Sequence, residues 1–211
     1  MISFDDERFI EDLSEIQKRY LNLSRRCEMY RAALESPDKW AVPNIETKDG
    51  QFQYIPFDLE GLADIFMDLA DTLPDDPDFS HSRQPIRPLS LVEVGCGIGR
   101  NLNLFRSQEM IPLSKIVGFD IVPEYIDVAR RIYGFGNNAF VQDAMTFEYT
   151  GFDLIFFYRP FSDDALEAAF EEKLMASAKP GSVILGLNTE TLHTSRLVAE
   201  FGTTGNCYKK L

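Results

Sequence analysis

The sequence predicts an α/β fold, in which helices cover both faces of a mostly parallel sheet behind a helical N-terminal extension. From Leu89 onward, short apolar runs alternate with segments of helical periodicity. Several of these runs are apolar without polar alternation, which is typical of parallel strands buried on both faces. Before Leu89, apolar residues recur mainly at helical spacing, which predicts helices in that part of the chain.

The first segment predicts one long helix. Apolar or semi-polar residues alternate in steps of four and three from Phe9 to Leu34, which is a heptad pattern. Ser36-Pro37 ends the pattern, because proline cannot continue a helical hydrogen-bond ladder. Such a helix packs on its own domain, covers the active-site cleft or forms a homodimer contact. Weak seam residues such as Tyr20 and Cys27 favour packing within the chain.

A hairpin, a helix and a loop are predicted next. Asp49-Gly50 is a favoured turn pair between two short runs. Asp58 is expected to cap a helix whose apolar residues, among them Leu62 and Leu69, share one face. The prolines and small or acidic residues of 74–88 predict a loop. We therefore divide the chain into an N-terminal helical extension (1–73), a loop (74–88) and a core domain (89–211).

The core domain is expected to contain five strands and three helices, followed by a strand pair. The predicted strands are Leu89–Val94, Lys115–Asp120, Asn138–Gln142, Phe152–Tyr158 and Ser182–Asn188. The predicted helices are Arg100–Glu109, Pro123–Tyr133 and Asp163–Ala178, with Ser162 as the cap of the third. Arg196–Phe201 and Asn206–Leu211 predict the antiparallel pair, with Gly202 to Gly205 as its turn. The helix before this pair must be very short or absent.

Composition excludes several classes of function. The formal net charge is −13, from 34 acidic and 21 basic residues, which disfavours broad binding of nucleic acid. Three cysteines without pairing or ligand spacing, and two histidines, predict reduced thiols and no metal site. No apolar run reaches the length of a membrane span, and the N-terminus lacks the features of a signal peptide. We expect a cytoplasmic protein that acts without a membrane or nucleic-acid partner.

A glycine-rich loop follows the first predicted strand. Gly95, Gly97 and Gly99 permit a tight turn and a close approach to a ligand, although dinucleotide-binding loops share this pattern. Glu93, two residues earlier, suits a cationic ligand better than a pyrophosphate. Acidic residues also end the second and third predicted strands, namely Asp120 and Asp143. The segment Leu174 to Ser182, which contains Lys179-Pro180-Gly181, forms the passage from the last helix to the fifth strand.

These four elements, in this order, resemble the class I S-adenosylmethionine (SAM) dependent methyltransferases, over about Leu89 to Asn188. The resemblance implies the Rossmann-like fold of that family and SAM as the cofactor, with S-adenosylhomocysteine as its product. It places Glu93 and the loop Gly95, Cys96, Gly97 and Gly99 along the methionine and sugar portion of the cofactor. It also implies Asp120 on the ribose, Ile121 against the adenine, and Asp143 with Ala144 on the adenine edge.

The acceptor side is less constrained by the sequence. The Asn/Asp-Pro-Pro-Tyr sequence typical of enzymes that methylate base amines or protein amides is absent after the fourth strand, where Tyr158-Arg159-Pro160 stands. Tyr158, Arg159 and Tyr54 are candidates for substrate contacts. Arg159 pairs either with a substrate anion or with the acidic protein surface. No catalytic base is assigned.

Three functions are open at this point. The favoured one is a methyltransferase acting on a small molecule or a protein side chain. A non-catalytic SAM-binding or interaction protein that uses the N-terminal helix is the alternative. A nicotinamide-dependent oxidoreductase is disfavoured by Glu93 and by the spacing of the glycines.

Overall fold

A central sheet of seven strands positions the site. The computed structural model describes residues 16, 19, 57–80 and 86–211. The strands are Leu89–Val94 (β1), Leu113–Asp120 (β2), Ala139–Val141 (β3), Leu154–Tyr158 (β4), Val183–Leu187 (β5), Val198–Glu200 (β6) and Cys207–Lys210 (β7). The helices are Leu59–Thr72 (α1), Arg100–Ser107 (α2), Pro123–Tyr133 (α3) and Asp164–Ser177 (α4), with short 3-10 helices at Leu73–Asp75, Gly136–Asn138 and Leu192–Thr194.

The strand order within these residues is β3-β2-β1-β4-β5-β7-β6. The first five strands along the chain pair in parallel, whereas β7 runs antiparallel to both β5 and β6. The chain moves outward from β1 through β2 to β3 and then returns to the other side of β1 as β4. Parallel α/β sheets bind ligands at the carboxyl ends of their strands, beside such a change of direction.

Apolar layers on both faces of the sheet confirm the predicted α/β architecture. Leu89 and Leu91 of β1 belong to the layer that α1 and α2 cover, together with side chains of α3 such as Ile126. Val92 of β1 belongs to the opposite layer, which α4 covers through Phe170 and other residues. Alternate side chains of a strand point to opposite faces, so β1 is buried on both, as its apolar residues without regular polar alternation predict.

Helix α1 begins at its predicted cap. The carboxylate of Asp58 accepts a hydrogen bond from the Gly61 amide at 3.0 Å. The apolar face of α1 is at most 3% exposed and consists of Leu62, Ile65, Phe66 and Leu69, followed by the buried Leu73. Phe66 stacks on Phe105 of α2, with ring centroids 4.9 Å apart. Helix α1 is therefore built into the same apolar layer as α2, while the division of the chain into domains stays a prediction.

A carboxylate of α1 also holds the C-terminal turn. Asp68 accepts hydrogen bonds from the backbone amides of Thr203 and Thr204 and from the Thr203 hydroxyl, at 2.7–3.1 Å. These bonds hold the Asp68 pKa below its usual value, although burial acts against them. The turn joins β6 to β7, so the predicted strand pair is confirmed. The 3-10 helix Leu192–Thr194 is the very short helix that the sequence left room for.

The predicted cap of α4 is wrong. The helix begins at Asp164, and Asp163 rather than Ser162 is its N-cap, since Asp163 Oδ1 accepts from the Leu166 amide at 2.9 Å. A capping side chain reaches two or three residues forward, so a helix that begins at Asp164 takes its cap from Asp163.

Three predictions fall outside the described residues: the heptad helix, apart from Ile16 and Arg19, the Asp49-Gly50 hairpin, and Tyr54. No helix in the described part of the chain is long and apolar enough to cross a membrane.

Candidate cofactor and acceptor site

One pocket lies at the carboxyl ends of β1, β2, β4 and β5 and of the short strand β3. Its lining consists of Glu93, Val94, Gly95, Cys96, Asn101, Phe119, Asp120, Ile121, Val122, Tyr125, Gln142, Asp143, Ala144, Tyr158, Arg159, Pro160, Phe161 and Asn188. The residues from β1 to β3 form one half of the pocket, and those that follow β4 and β5 form the other. We call these the cofactor half and the acceptor half.

The glycine-rich loop turns the chain sharply between β1 and α2. Gly95, Gly97 and Gly99 all have positive φ angles, of 66°, 51° and 83°, which other residues rarely adopt. The turn brings the Cys96 amide to the Phe119 carbonyl at 2.9 Å and the Gly99 amide to the Cys96 carbonyl at 2.9 Å. These bonds hold the loop against the end of β2, so one face of it lines the pocket.

Glu93 is a buried carboxylate with one free oxygen. It is 2% exposed, and the Asn101 side chain on α2 donates to Oε1 at 2.9 Å. Oε2 is buried and has no hydrogen-bond partner among the described residues. Burial raises the pKa of Glu93 well above its usual value; the hydrogen bond from Asn101 and the nearby backbone amide of Leu102 oppose this rise, and the charge of Asp120 adds to it. A cationic ligand group in the pocket would satisfy this oxygen and stabilise its charged form.

Asp120 joins the glycine-rich loop to the end of β2. Its Oδ2 accepts from the Gly97 amide and its Oδ1 accepts from the Val122 amide, both at 2.9 Å. Burial raises the Asp120 pKa, although these backbone hydrogen bonds act in the opposite direction. Burial also raises the pKa of the Cys96 thiol, with Glu93 and Asp120 adding to the effect. Cys96 is therefore a neutral, buried part of the loop.

The far end of the cofactor half combines apolar and polar groups. Ile121 is 40% exposed and Ala144 is 8% exposed. Asp143 Oδ1 accepts from the Met145 amide at 2.8 Å, which fixes the turn that carries it. The Tyr149 hydroxyl donates to the Ala144 carbonyl at 3.0 Å. The turn after β3 is thus held from both sides, with Asp143 and Ala144 facing the pocket.

The acceptor half is formed by two loops that leave neighbouring strands, since Tyr158 of β4 pairs with Leu187 of β5. The non-glycine residues Arg159 and Asn188 have φ angles of 33° and 56°. Such backbone is costly and persists where its surroundings hold it, often at functional sites. The ring of Tyr158 packs on Phe57, with centroids 5.0 Å apart. Phe57 in turn accepts a hydrogen bond from Arg100 through its carbonyl at 2.6 Å.

A family comparison identifies this arrangement. A sequence model described as a methyltransferase domain matches residues 88–205, which is more than half of the chain. The chain belongs to this family. The match includes all the lining residues of the pocket and confirms the family resemblance drawn from the sequence. No curated protein sequence matches this chain.

Several solved structures, two of the following three being described as methyltransferases, are similar to this one at low identity. An RNA methyltransferase from Salinibacter ruber in complex with S-adenosyl-L-homocysteine is 15% identical, and the alignment covers 74% of this chain and 91% of the other, with a TM-score of 0.47. SAM-bound CalS10, an amino pentose methyltransferase from Micromonospora echinaspora, is 19% identical, and the alignment covers 64% of this chain and 58% of the other, with a TM-score of 0.42. DesVI of Streptomyces venezuelae is 20% identical, and the alignment covers 63% of this chain and 58% of the other, with a TM-score of 0.39. The chain thus spans little more than half the length of the latter two.

The pocket fits SAM on three features of its own residues. The free oxygen of Glu93 suits an ammonium or sulfonium group, and no cation lies in the described lining of the cofactor half to bind a pyrophosphate. Gly95 lines the pocket with a φ angle of 66°, which favours glycine, and a Cβ there would be only in ordinary contact with the Pro160 side chain at 3.6 Å. Asp120 and Asp143 are carboxylates on the lining, and carboxylate oxygens are suitable hydrogen-bond acceptors for ribose hydroxyls and an adenine amino group.

The structure places seven of the nine predicted cofactor residues on the lining: Glu93, Gly95, Cys96, Asp120, Ile121, Asp143 and Ala144. Gly97 and Gly99 belong to the same loop but are not on the lining. Gly97 donates to Asp120, and a Cβ on Gly99 would lie 2.9 Å from that of Ala129 on α3. Of the substrate candidates, Tyr158 and Arg159 line the pocket, and Tyr54 lies outside the described residues.

Sequence reasoning missed several lining residues, of which Asn101, Tyr125, Phe161 and Asn188 carry most of the added chemistry. A polar residue at the start of a helix that follows a glycine-rich loop was the available signal for Asn101. The position of Asn188 directly after the fifth strand was the signal for that residue, since parallel strands end on the same edge.

Proposed function

We propose that this protein is a SAM-dependent methyltransferase whose acceptor is a small molecule or a protein side chain. The observation that carries the proposal is the unpartnered, buried Oε2 of Glu93 on the lining of the pocket, beside a glycine-rich loop. A buried carboxylate oxygen without a partner is costly to the protein alone, so its presence is explained by a cationic ligand. Membership of the methyltransferase-domain family supports the same conclusion.

Each end of the cofactor half has a role in this proposal. Glu93 would hold the cationic methionine portion of SAM, and Asp120 would accept from the ribose hydroxyls. Asp143 and the Ala144 amide would hold the adenine edge, with the exposed Ile121 against the ring. When bound, SAM supplies a methyl group activated by a positively charged sulfur.

The acceptor half would position the nucleophile. Methyl transfer is an in-line displacement, so the main contribution of the protein is to hold the two reacting atoms at the right distance and angle. Tyr158 and Asn188 stand at the ends of β4 and β5 and offer a hydroxyl and an amide for this purpose. The aromatic contacts of Tyr158 with Phe57 limit the positions that its hydroxyl can take.

Calorimetry with SAM, S-adenosylhomocysteine and NAD tests the cofactor. We expect both adenosyl compounds to bind and NAD to give no heat of binding. Binding of NAD alone would show that the protein is a nicotinamide-dependent oxidoreductase instead.

Methyl transfer from radiolabelled SAM to a panel of amines, hydroxyl compounds and proteins tests the reaction. Binding of SAM without transfer to any member of a broad panel would favour the alternative, a non-catalytic SAM-binding protein. Loss of the C-terminal strand pair would have favoured this non-catalytic alternative. Both strands of the pair, β6 and β7, are present in the structure, so that argument does not support it.

Location and assembly are also proposals. The thiols of Cys96 and Cys207 are free and buried, which supports a cytoplasmic protein, and cell fractionation tests this. The homodimer through the N-terminal helix, and the absence of nucleic-acid and membrane partners, stay predictions that light scattering and binding assays check.

A further inference from the structure

The described lining of the pocket contains one cationic side chain, the guanidinium of Arg159. Its Nη1 donates to Glu190 Oε1 at 2.5 Å, and its Nη2 donates to Asp164 Oδ1. The Arg159 side chain is 21% exposed. The hydrogen bond to Glu190 is the main reason that the pKa of Arg159 lies above its usual value. The guanidinium is thus paired with two carboxylates before any acceptor arrives.

Glu190 is fixed in its position by a second carboxylate. The Glu190 amide donates to Glu171 Oε1 at 2.7 Å, and the amides of Thr191 and Leu192 donate to Glu171 Oε2 at 2.5 and 3.1 Å. Glu171 lies on α4 and is fully buried. Three backbone amides and the Thr191 hydroxyl thus donate to one side chain, so this loop is held firmly against the helix.

The loop that carries Arg159 is held by the same helix. Glu167, one turn before Glu171, is fully buried and accepts from the Phe161 amide through Oε2 at 3.0 Å. Helix α4 therefore presents two buried glutamates, and each fixes one loop of the acceptor half. The ion pair between Arg159 and Glu190 joins these two loops, and because both backbones are held by α4 the two charged side chains start from fixed positions close to each other.

The remaining charged residues on the lining are acidic: Glu93, Asp120 and Asp143. A carboxylate or phosphate on the acceptor would have to displace Glu190 from Arg159. Such an exchange gains little, because Glu190 is already present at high effective concentration as part of the same chain. An ammonium group meets no such competition, and the carboxylates of Glu190 and Asp164 offset the positive charge of Arg159 that would otherwise repel it.

We propose that Glu190 is a specificity-determining residue that keeps Arg159 occupied, so that the acceptor half takes an amine and rejects acceptors that carry a carboxylate or a phosphate at this position. The inference rests on the proposed function, which assigns this half of the pocket to the acceptor. Of the two kinds of partner that the sequence left open for Arg159, a substrate anion and the acidic groups of the protein itself, the structure shows the second. The Tyr158 hydroxyl and the Asn188 amide are left to orient the amine.

Titration of two small probes tests the inference. Inorganic phosphate and ethylammonium are added to the protein saturated with S-adenosylhomocysteine, and the Nε–H resonance of Arg159 is followed by NMR. The test variant carries Glu190→Gln and Asp164→Asn, which frees the guanidinium. The control variant carries Glu172→Gln and Asp127→Asn, which removes the same charge from exposed positions away from the pocket.

We expect the unmodified protein and the control to bind ethylammonium at least about tenfold more tightly than phosphate, and the test variant to gain about tenfold or more in phosphate affinity, as expected for a freed charged donor. Phosphate binding to the unmodified protein as tight as to the test variant would overturn the proposal. No gain in the test variant, or in Glu190→Gln alone if the double variant does not fold, would overturn it as well. If S-adenosylhomocysteine does not bind at all, the proposed function fails, and the phosphate titration without it still decides whether Arg159 is available.

Discussion

Replacing Glu93 with glutamine removes the charge that we assign to the methionine portion of SAM while keeping the shape of the side chain. In the structure, one oxygen of Glu93 accepts from Asn101 at 2.9 Å and the other has no partner among the described residues. A hydrogen bond to a charged group is worth about 1.5–3 kcal/mol. The dissociation constant for SAM should therefore rise by about 10- to 150-fold in Glu93→Gln.

The same contact makes binding depend on pH. Burial raises the pKa of Glu93, so in the free protein the side chain holds a proton to a higher pH than an ordinary glutamate. A cationic ligand favours the charged form, so SAM binding should release this proton. Affinity should consequently increase with rising pH below the raised pKa, by at most about tenfold per pH unit. In Glu93→Gln this dependence should be absent.

Calorimetry between pH 5.5 and 7.5 measures both effects, because an α-amino group keeps its charge over most of this range. Repeating the titration in buffers with different ionisation enthalpies counts the released protons. Glu148→Gln, which removes a charge from an exposed residue that is not on the pocket lining, is the matched control. A Glu93→Gln affinity within twofold of the unmodified protein would refute the assignment of this residue. A pH profile that is flat in both proteins would do the same.

Three further predictions follow from individual contacts. A Cβ on Gly118 would lie 2.5 Å from Leu102 and 2.8 Å from Cys96, so Gly118→Ala should lower the free energy of unfolding by about 1–3 kcal/mol. Gly151→Ala, where a Cβ has no heavy atom within 4 Å, should change it by less than about 1 kcal/mol; equal effects in urea unfolding would contradict the packing argument. Burial raises the pKa of Glu167 to about 8. The folded protein therefore keeps a proton that the unfolded chain loses, and stability should fall between about pH 5 and 8 by up to about 1.4 kcal/mol per pH unit from this group. Glu167→Gln should flatten that decline and the exposed Glu172→Gln should not, as urea unfolding at several pH values would show. Asp120→Ala should weaken SAM binding by about 1–3 kcal/mol in calorimetry, and unchanged affinity would mean that Asp120 only braces the glycine-rich loop.

Much of the fold could be predicted because it depends on patterns that are local in the sequence. Runs made mainly of apolar residues place β1, β2, β4 and β5 to within two residues of their observed bounds, since a strand buried on both faces carries apolar side chains on both. Helix α3, Pro123–Tyr133, has its predicted bounds because proline suits the first helical turn and Gly134 ends the helix in a left-handed conformation.

The cofactor half was more predictable than the acceptor half for the same reason. Its residues lie directly in or after the strands that carry them. The partners of Arg159, by contrast, depend on how two loops meet. Glu190 is 31 residues away along the chain, and its position is set by Glu171 on α4. The acidic composition made an internal partner for Arg159 one of two alternatives, but no local pattern identifies Glu190 as that partner.

Helix α4 itself carried a signal that sequence reasoning did not use. Glu167 and Glu171 fall at the same helical spacing as Phe170 and Leu174, which face the sheet. Glutamate is almost never fully buried unless it is paired, so two acidic residues on an apolar helix face indicate buried acceptors for backbone groups.

The packing of α1 and β7 has a practical consequence for the smallest piece of this protein that can fold. The family match begins at residue 88, after α1, and ends at residue 205, before β7. A polypeptide cut to those limits would lose Cys207 and six large buried side chains of the apolar layer, namely Leu62, Ile65, Phe66, Leu69, Leu73 and Phe79. Each large side chain is worth about 1.5–3 kcal/mol when buried, against a total stability of about 5–15 kcal/mol for a typical domain. It would also lose the strand that joins β6 to β5. The segment that defines the family is therefore shorter than the autonomous folding unit, and truncated forms should begin no later than Asp58 and retain Lys210.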